Sequence, residues 1–200
     1  LTPATKVIYI ANPNNPTGTY LSKKEIRDLM SKIPNHVVVV LDGAYAEYVM
    51  EKDYDIDFSL VDEFENIILT RTFSKAYGLA GIRLGWCYSS ERIASILSRV
   101  KGPFNTSSLA QHMAIIALKD QNHVNMVTRE NKRNKKWFEG ELKKLNINFL
   151  PSYANFSFIK STKAVAAQMS ETLLEYGIIV RQLGSYNLPY CLRITIGTME

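Results

Sequence analysis

Residues 70–86 read TRTFSKAYGLAGIRLGW and follow a short apolar run, Ile67, Ile68 and Leu69. Such a run between turn signals predicts a buried strand. Lys75 then falls on the turn leaving that strand, with hydroxyls at Thr70, Thr72 and Ser74 before it and Arg83 eight residues after it. A lysine among small residues suits neither a packed core nor an open surface.

Working outward, short β-branched runs alternate with amphipathic helical patterns, which predicts an α/β layer architecture. Val7 to Ala11 reads as a strand ending in the turn-rich NPNNPTG. Ser22 followed by Glu25 is a capping-box pattern opening a helix whose Ile26, Leu29, Met30 and Ile33 form one stripe, stopped by Pro34 and Asn35. Val37 to Leu41 is apolar without alternation, as expected of a strand covered on both faces. Leu84 to Tyr88 reads as another buried strand, and Ser90 as the cap of a helix bearing Ile93, Ile96, Leu97 and Val100. A helix starting at Ser107 or Ser108 runs through Leu118, and a long polar one spans about 122 to 145, with Trp137, Phe138, Leu142 and Leu145 on its apolar side.

Beyond it the rhythm changes to a strand over 149–160, a helix over 163–176 ended by Gly177, and strands near Ile178–Arg181 and Leu192–Ile196. The expected organisation is a large domain over 1–135 and a small C-terminal domain over 136–200, with the boundary inside the long helix.

Composition narrows the function classes. A hydrophobic content of 46% supports a sizeable core. The net charge of +5 is spread along the chain except for Lys132, Arg133, Lys135 and Lys136, which read as a solvated helix face. Nucleic acid is therefore not the expected partner. Two distant cysteines, Cys87 and Cys191, and three scattered histidines offer neither a disulfide framework nor metal-ligand spacing. No stretch is long enough to span a membrane, so neither is a membrane the expected partner, and the expected address is the cytoplasm. The chain opens LTPATKVIYIANP, without an initiator methionine and directly into a strand, so the expectation is a piece of a longer protein.

Polar residues gather where strands end. Asn15 lies in the loop after the first strand, Asp42 ends the second, Tyr45 follows by three, and Ser74 and Lys75 follow the third. In a mostly parallel sheet the carboxyl ends of the strands share one crevice, where ligands bind. Each residue alone has a plainer reading: Asn15 as a turn residue, Asp42 as a turn or cap, Tyr45 as core, and Lys75 as a surface side chain. Together they match the needs of pyridoxal phosphate. That cofactor bonds its aldehyde to a lysine amine and sets a carboxylate against its ring nitrogen. Hydroxyls and a guanidinium suit its phosphate, and its phenolic oxygen takes hydrogen-bond donors. Lys75, Asp42, the set Thr72, Ser74 and Arg83, and the pair Asn15 and Tyr45 fill these roles in turn.

The segments ANPNNPTG, VVVVLDGAYAEYV, TRTFSKAYGLAGIRLGW and CLRITIGT resemble the fold-type-I pyridoxal-phosphate aminotransferases, and within them the histidinol-phosphate aminotransferase family. The resemblance runs over nearly the whole chain, with the motifs in the family's order. It implies the type I transferase fold, here a partial large domain with a mostly parallel sheet plus a smaller α/β domain. It implies transamination between histidinol phosphate and 2-oxoglutarate in histidine biosynthesis, by a homodimer. Lys75 would carry the cofactor and move the substrate proton, with Asp42 and Tyr45 beside it in the catalytic set. Asn15 and Tyr45 would meet the phenolic oxygen, and Thr72, Ser74 and Arg83 the phosphate. Arg193 would bind the substrate carboxylate and Arg181 the substrate phosphate; the plain alternative for both is a strand-surface charge. A cis Asn15–Pro16 bond is also implied. The family's N-terminal part, with its phosphate-binding loop, ring-stacking aromatic residue and covering arm, has no counterpart in these segments. An aromatic amino-acid aminotransferase, a decarboxylase of a phosphorylated amino acid, and an inactive piece that only joins a partner chain remain alternatives.

Overall fold

The computed structural model describes residues 1–54 and 58–199. The chain divides into two compact units: Leu1–Pro13 with Tyr20–Asn125, and Asn14–Thr19 with the chain from Met126 onward.

The first unit is built on a four-stranded sheet of β1 (Val7–Ala11), β2 (Val38–Asp42), β3 (Ile67–Thr72) and β4 (Gly85–Ser89), in that order. β1, β2 and β3 are parallel, and β4 runs antiparallel to β3. Helices α1 (Lys23–Met30) and α2 (Ser59–Glu63) supply Ile26, Met30, Leu60 and Val61 to a core completed by Val39, Leu41, Ile67 and Leu69. α1 begins as its sequence predicts. The Ser22 hydroxyl accepts the Glu25 N–H at 3.3 Å, and the Glu25 carboxylate accepts the Ser22 N–H at 2.8 Å. Asn12, almost wholly buried, accepts the Leu21 N–H at 2.8 Å and donates to the Leu21 carbonyl at 3.0 Å. These bonds join the chain on either side of the loop that carries Asn15. α3 (Glu91–Val100), α4 (Ser108–Lys119) and the start of α5 (Gln121–Lys144) complete the unit.

Three expectations change here. β2 does alternate: Val39 and Leu41 are fully buried, whereas Val38 and Val40 are half-buried, because the helical core covers one face. β4 is an exposed edge strand rather than a buried one, with Trp86 36% and Tyr88 41% exposed. Its apolar composition reports contacts such as Tyr88 against Phe58, ring centroids 4.8 Å apart, rather than a place in the sheet interior. Ser90 holds the N-cap position of α3 without capping it; its hydroxyl donates to the Glu65 carbonyl at 2.9 Å.

The second unit carries an antiparallel sheet of order β5-β6-β8-β7, with β5 Phe149–Leu150, β6 Phe156–Lys160, β7 Arg181–Gln182 and β8 Cys191–Thr195. The single strand expected over 149–160 is thus two, interrupted where the chain turns at 151–155. Leu142 of α5 and Ala166 of α6 (Lys163–Glu175) pack with Ile159 and Leu192 on one face, and Phe158, Leu183 and Cys191 fill the other. Of the expected stripe on α5, Leu142 is buried, but Trp137 and Leu145 are 53% and 69% exposed. The basic cluster also divides: Lys132, Arg133 and Lys136 face solvent, whereas Lys135 is buried.

Candidate active site

In parallel strands the carboxyl ends lie at one edge of the sheet, and the first unit sets polar groups there. Asp42 ends β2, in register with Ala11 and Thr70. Its Oδ1 accepts the Ala44 N–H at 3.0 Å and the Thr70 hydroxyl at 3.2 Å. Both bonds fall on one oxygen, so the exposed carboxylate keeps Oδ2 open among the described residues. Three residues on, Tyr45 is buried and turns its ring to Lys75, whose Nζ lies 5.4 Å from the ring centroid.

The turn bearing Lys75 is held from below. Phe73 and Ala76 are pegs at 3% and 1% exposure. The Leu79 N–H closes on the Phe73 carbonyl at 2.9 Å, and the Gly78 N–H on the Lys75 carbonyl at 2.9 Å. Gly78 has φ +70, a conformation glycine adopts without steric cost. With two neighbours locked inward, Ser74 and Lys75 stay half-buried at the edge. Lys75 Nζ makes no hydrogen bond or ion pair among the described residues. Thr72 Oγ1 accepts the Ser74 N–H at 3.0 Å. Arg83, in the left-handed region at φ 55, is exposed and donates one N–H to the Ala80 carbonyl at 2.9 Å. An available amine, an open carboxylate oxygen, a phenol, two hydroxyls and a guanidinium thus belong to this one unit.

Four supporting residues, Arg71, Glu47, Tyr48 and Thr70, were given no role in the sequence reading. Arg71 Nη1 donates to the Gly43 carbonyl at 3.3 Å, and a Cβ on Gly43 would stand 2.1 Å from that nitrogen. A side chain at position 43 would have to displace that guanidinium. Burial raises the Glu47 carboxyl above its usual range, with the Arg71 charge pulling the other way. Burial, then the Glu47 charge and Tyr45, push the Tyr48 phenol up to about 12. Thr70 was visible only as a hydroxyl near Lys75, although strand register makes it the partner of Asp42. The glycine beside the carboxylate was the one available signal for a close approach.

The second unit holds Asn15, Arg181 and Arg193. Asn15 lies between buried Pro13 and Pro16, and the Asn12–Pro13 and Asn15–Pro16 bonds are both cis. Its Oδ1 accepts Arg193 Nη1 at 2.5 Å. The Arg193 guanidinium lies 5.2 Å from the Phe156 ring centroid, and its Nε is buried without an acceptor among the described residues. Arg181 on β7 stands directly opposite Arg193 on β8. Both line a cavity of about 530 Å3 with Ser170, Gln182 and Thr195. Two guanidiniums facing one cavity, one with an unsatisfied donor, suit an anion. Among the described residues, no group of histidine, cysteine and acidic side chains could hold a metal ion.

Comparison with known proteins identifies the fold and the family. The family model for aminotransferase class I and II matches residues 1–200. The histidinol-phosphate aminotransferase of Rhodopseudomonas palustris (strain BisB18) is 42% identical over 203 residues, which take in 100% of this chain and 56% of that protein. The crystal structure of histidinol-phosphate aminotransferase from Sinorhizobium meliloti in complex with pyridoxal-5'-phosphate matches with a TM-score of 0.88 at 30% identity, over 96% of this chain and 53% of that one. That of L-threonine-O-3-phosphate decarboxylase from Porphyromonas gingivalis matches with a TM-score of 0.82 at 25% identity, over 97% of this chain and 60% of that one. The chain spans about half the length of the curated relatives it matches. Its fold is the type I fold of the pyridoxal-phosphate-dependent aminotransferases, as expected from the motifs. With the family model aligned from the first residue to the last, the chain belongs to the class I and II aminotransferases.

Proposed function

We propose that this chain carries the lysine-bearing part of an enzyme that exchanges an amino group between the pairs glutamate/2-oxoglutarate and histidinol phosphate/imidazole-acetol phosphate, with imidazole-acetol phosphate as the acceptor in histidine biosynthesis. The observation that supports it most is the unpaired Lys75 Nζ over the Tyr45 ring, at the strand edge where Asp42 keeps Oδ2 open. This donor set fits pyridoxal 5'-phosphate: an amine for its aldehyde, a carboxylate for its ring nitrogen, and hydroxyls with a guanidinium for its phosphate. In this reading Lys75 is its covalent anchor, Asp42 faces the ring nitrogen, and Asn15 and Tyr45 bond the phenolic oxygen. Thr72, Ser74 and Arg83 hold the phosphate. The domains are a large cofactor-binding one over 1–135 and a small one over 136–200.

Bound there, pyridoxal phosphate supplies an electron-withdrawing ring that spreads the charge left when the substrate's Cα–H bond breaks. Lys75 Nζ takes that Cα proton and returns one, acting as base and then acid. The Thr70 hydroxyl and the Ala44 N–H hold Asp42 Oδ1, which fixes the carboxylate and leaves Oδ2 for the ring nitrogen. Arg193, steadied by Asn15 and Phe156, offers its remaining donors to the substrate carboxylate. Arg181 across the strand pair offers a second guanidinium to the substrate phosphate. The enzyme acts as a homodimer in the cytoplasm in this reading; among the described residues no helix is long and apolar enough to cross a membrane.

The test uses the full-length enzyme. Borohydride reduction in the presence of cofactor should fix a phosphopyridoxyl group on Lys75 by peptide mass, and Lys75→Ala should lose both the label and turnover. Imidazole-acetol phosphate should outcompete phenylpyruvate as amino acceptor. A label on another lysine, or preference for phenylpyruvate, overturns the assignment. The structural match to a phosphothreonine decarboxylase supports one second reading, in which the same lysine and aspartate serve decarboxylation. Release of carbon dioxide from a phosphorylated amino acid would establish that reading instead.

A further inference from the structure

Lys135 sits mid-helix on α5 at 9% exposure. Its ammonium donates to the backbone carbonyls of Ser152 and Ala154, the latter at 3.0 Å. Asn131, one helical turn earlier, donates to the same Ala154 carbonyl at 3.3 Å. Burial pushes the Lys135 amine down to about 8, with the Glu139 charge holding it up and Lys132 pressing it down, so at neutral pH it is mostly charged. A buried ammonium is costly unless its donors are satisfied. Here two carbonyls of one short turn take two of its three N–H groups, and that turn is the break between β5 and β6.

The loop carrying Asn15 rests on this same turn. The Tyr153 N–H donates to the Gly18 carbonyl at 2.7 Å. A Cβ at Gly18, whose φ is +75, would fall 2.2 Å from Ser152 Oγ, so only glycine lets the two backbones meet. The loop is closed on itself by the Gly18 N–H to the Asn14 carbonyl and the Asn14 N–H to the Thr19 carbonyl, both at 2.7 Å. Asn15, inside it, accepts from Arg193. A continuous set of bonds therefore runs from Lys135 through Ser152–Ala154 and Gly18 to the Asn15–Arg193 pair, all within the second unit.

We propose that Lys135 is a positioning residue: it anchors the Ser152–Ala154 turn, and so sets where the Asn15 loop holds Arg193 for the substrate carboxylate. The link to substrate rests on the function proposed above; the link to the loop does not. Asn131 cannot replace Lys135, since it reaches only one of the two carbonyls and carries no charge.

The experiment compares full-length wild type, Lys135→Met and Lys135→Arg. In cofactor-free protein, hydrogen–deuterium exchange in Lys135→Met should quicken about tenfold at residues 14–19 and 151–155, with 38–42 and 67–72 unchanged. In the loaded enzyme, KM for 2-oxoglutarate should rise about tenfold while kcat changes much less. Lys135→Arg, keeping charge and donors, should recover part of both. If Lys135→Met does not fold, Gly18→Ala displaces the loop from the opposite side and should show the same exchange pattern and KM rise. Unchanged exchange in the loop, or quickened exchange with an unchanged KM, overturns the proposal. A wild type that does not transaminate overturns the proposed function, while the exchange result still decides whether Lys135 anchors the loop.

Discussion

Gly43 shows how closely one residue can be constrained without any unusual backbone angle. The Arg71 guanidinium lies in the space its side chain would fill, and the Thr70 carbonyl is 3.1 Å from the same point. Arg71 in turn bonds the carbonyl of the residue between Asp42 and Ala44, so it braces the turn that aims the carboxylate. Gly43→Ala should therefore displace the Arg71 guanidinium and cost about 1 kcal/mol in denaturant unfolding, roughly the hydrogen bond it loses. It should also weaken cofactor binding, because moving Arg71 moves the Asp42 turn. Equal stability and equal cofactor affinity in the variant would contradict this account. Lys75 presents the opposite case, an amine without a hydrogen-bond or ion-pair partner among the described residues. Phe73 and Ala76 are driven inward by burial, and the amine they leave at the sheet edge lies over an aromatic face.

Among the elements, two of the serine-headed helices of the first unit, α1 and α3, use their serines differently. Ser22 and Glu25 form a reciprocal capping box on α1. Ser90 stands at the head of α3 with an extended backbone, yet its hydroxyl is spent on the Glu65 carbonyl. Capping satisfies backbone N–H groups that otherwise have no partner. Ser22→Ala should cost about 1 kcal/mol of stability. Ser90→Ala should leave α3 helicity intact and instead free the chain near Glu65, where amide exchange would quicken. Loss of helicity at α3 in the second variant would show that the hydroxyl does cap. The strands make a related point: β4 carries Trp86, Cys87 and Tyr88, yet it sits at an edge of the described sheet, antiparallel to β3.

For the molecule as a whole, the buried ammonium of Lys135 leaves a signature in the pH dependence of stability. Its amine is lowered from 10.5 to about 8 in the folded chain, with burial as the main cause. Between these values the unfolded chain binds more protons, so stability rises with pH there, by roughly 3 kcal/mol for this group alone. Below about pH 8 both states are protonated and the burden is constant. The unfolding free energy of wild type minus that of Lys135→Met should accordingly climb from pH 8 to 10.5 and stay level from 6 to 7; a flat difference throughout would refute it. Much of this protein was readable from its residue order: the alternation of strands and helices, the Ser22 cap, the type I fold, and the polar residues gathered at strand ends. The alternation and the cap are written in local periodicity and in short motifs, whereas the type I fold was implied by the resemblance of those motifs to a known family. Beyond reach were the exposure of β4, the burial of Lys135 within a basic run, the Arg71 guanidinium over Gly43, and the pairing of Asn15 with Arg193 across most of the chain. Each depends on which backbone atoms happen to meet after packing. Residue type states what a side chain can bond, but only the folded neighbourhood supplies the partner and removes the water.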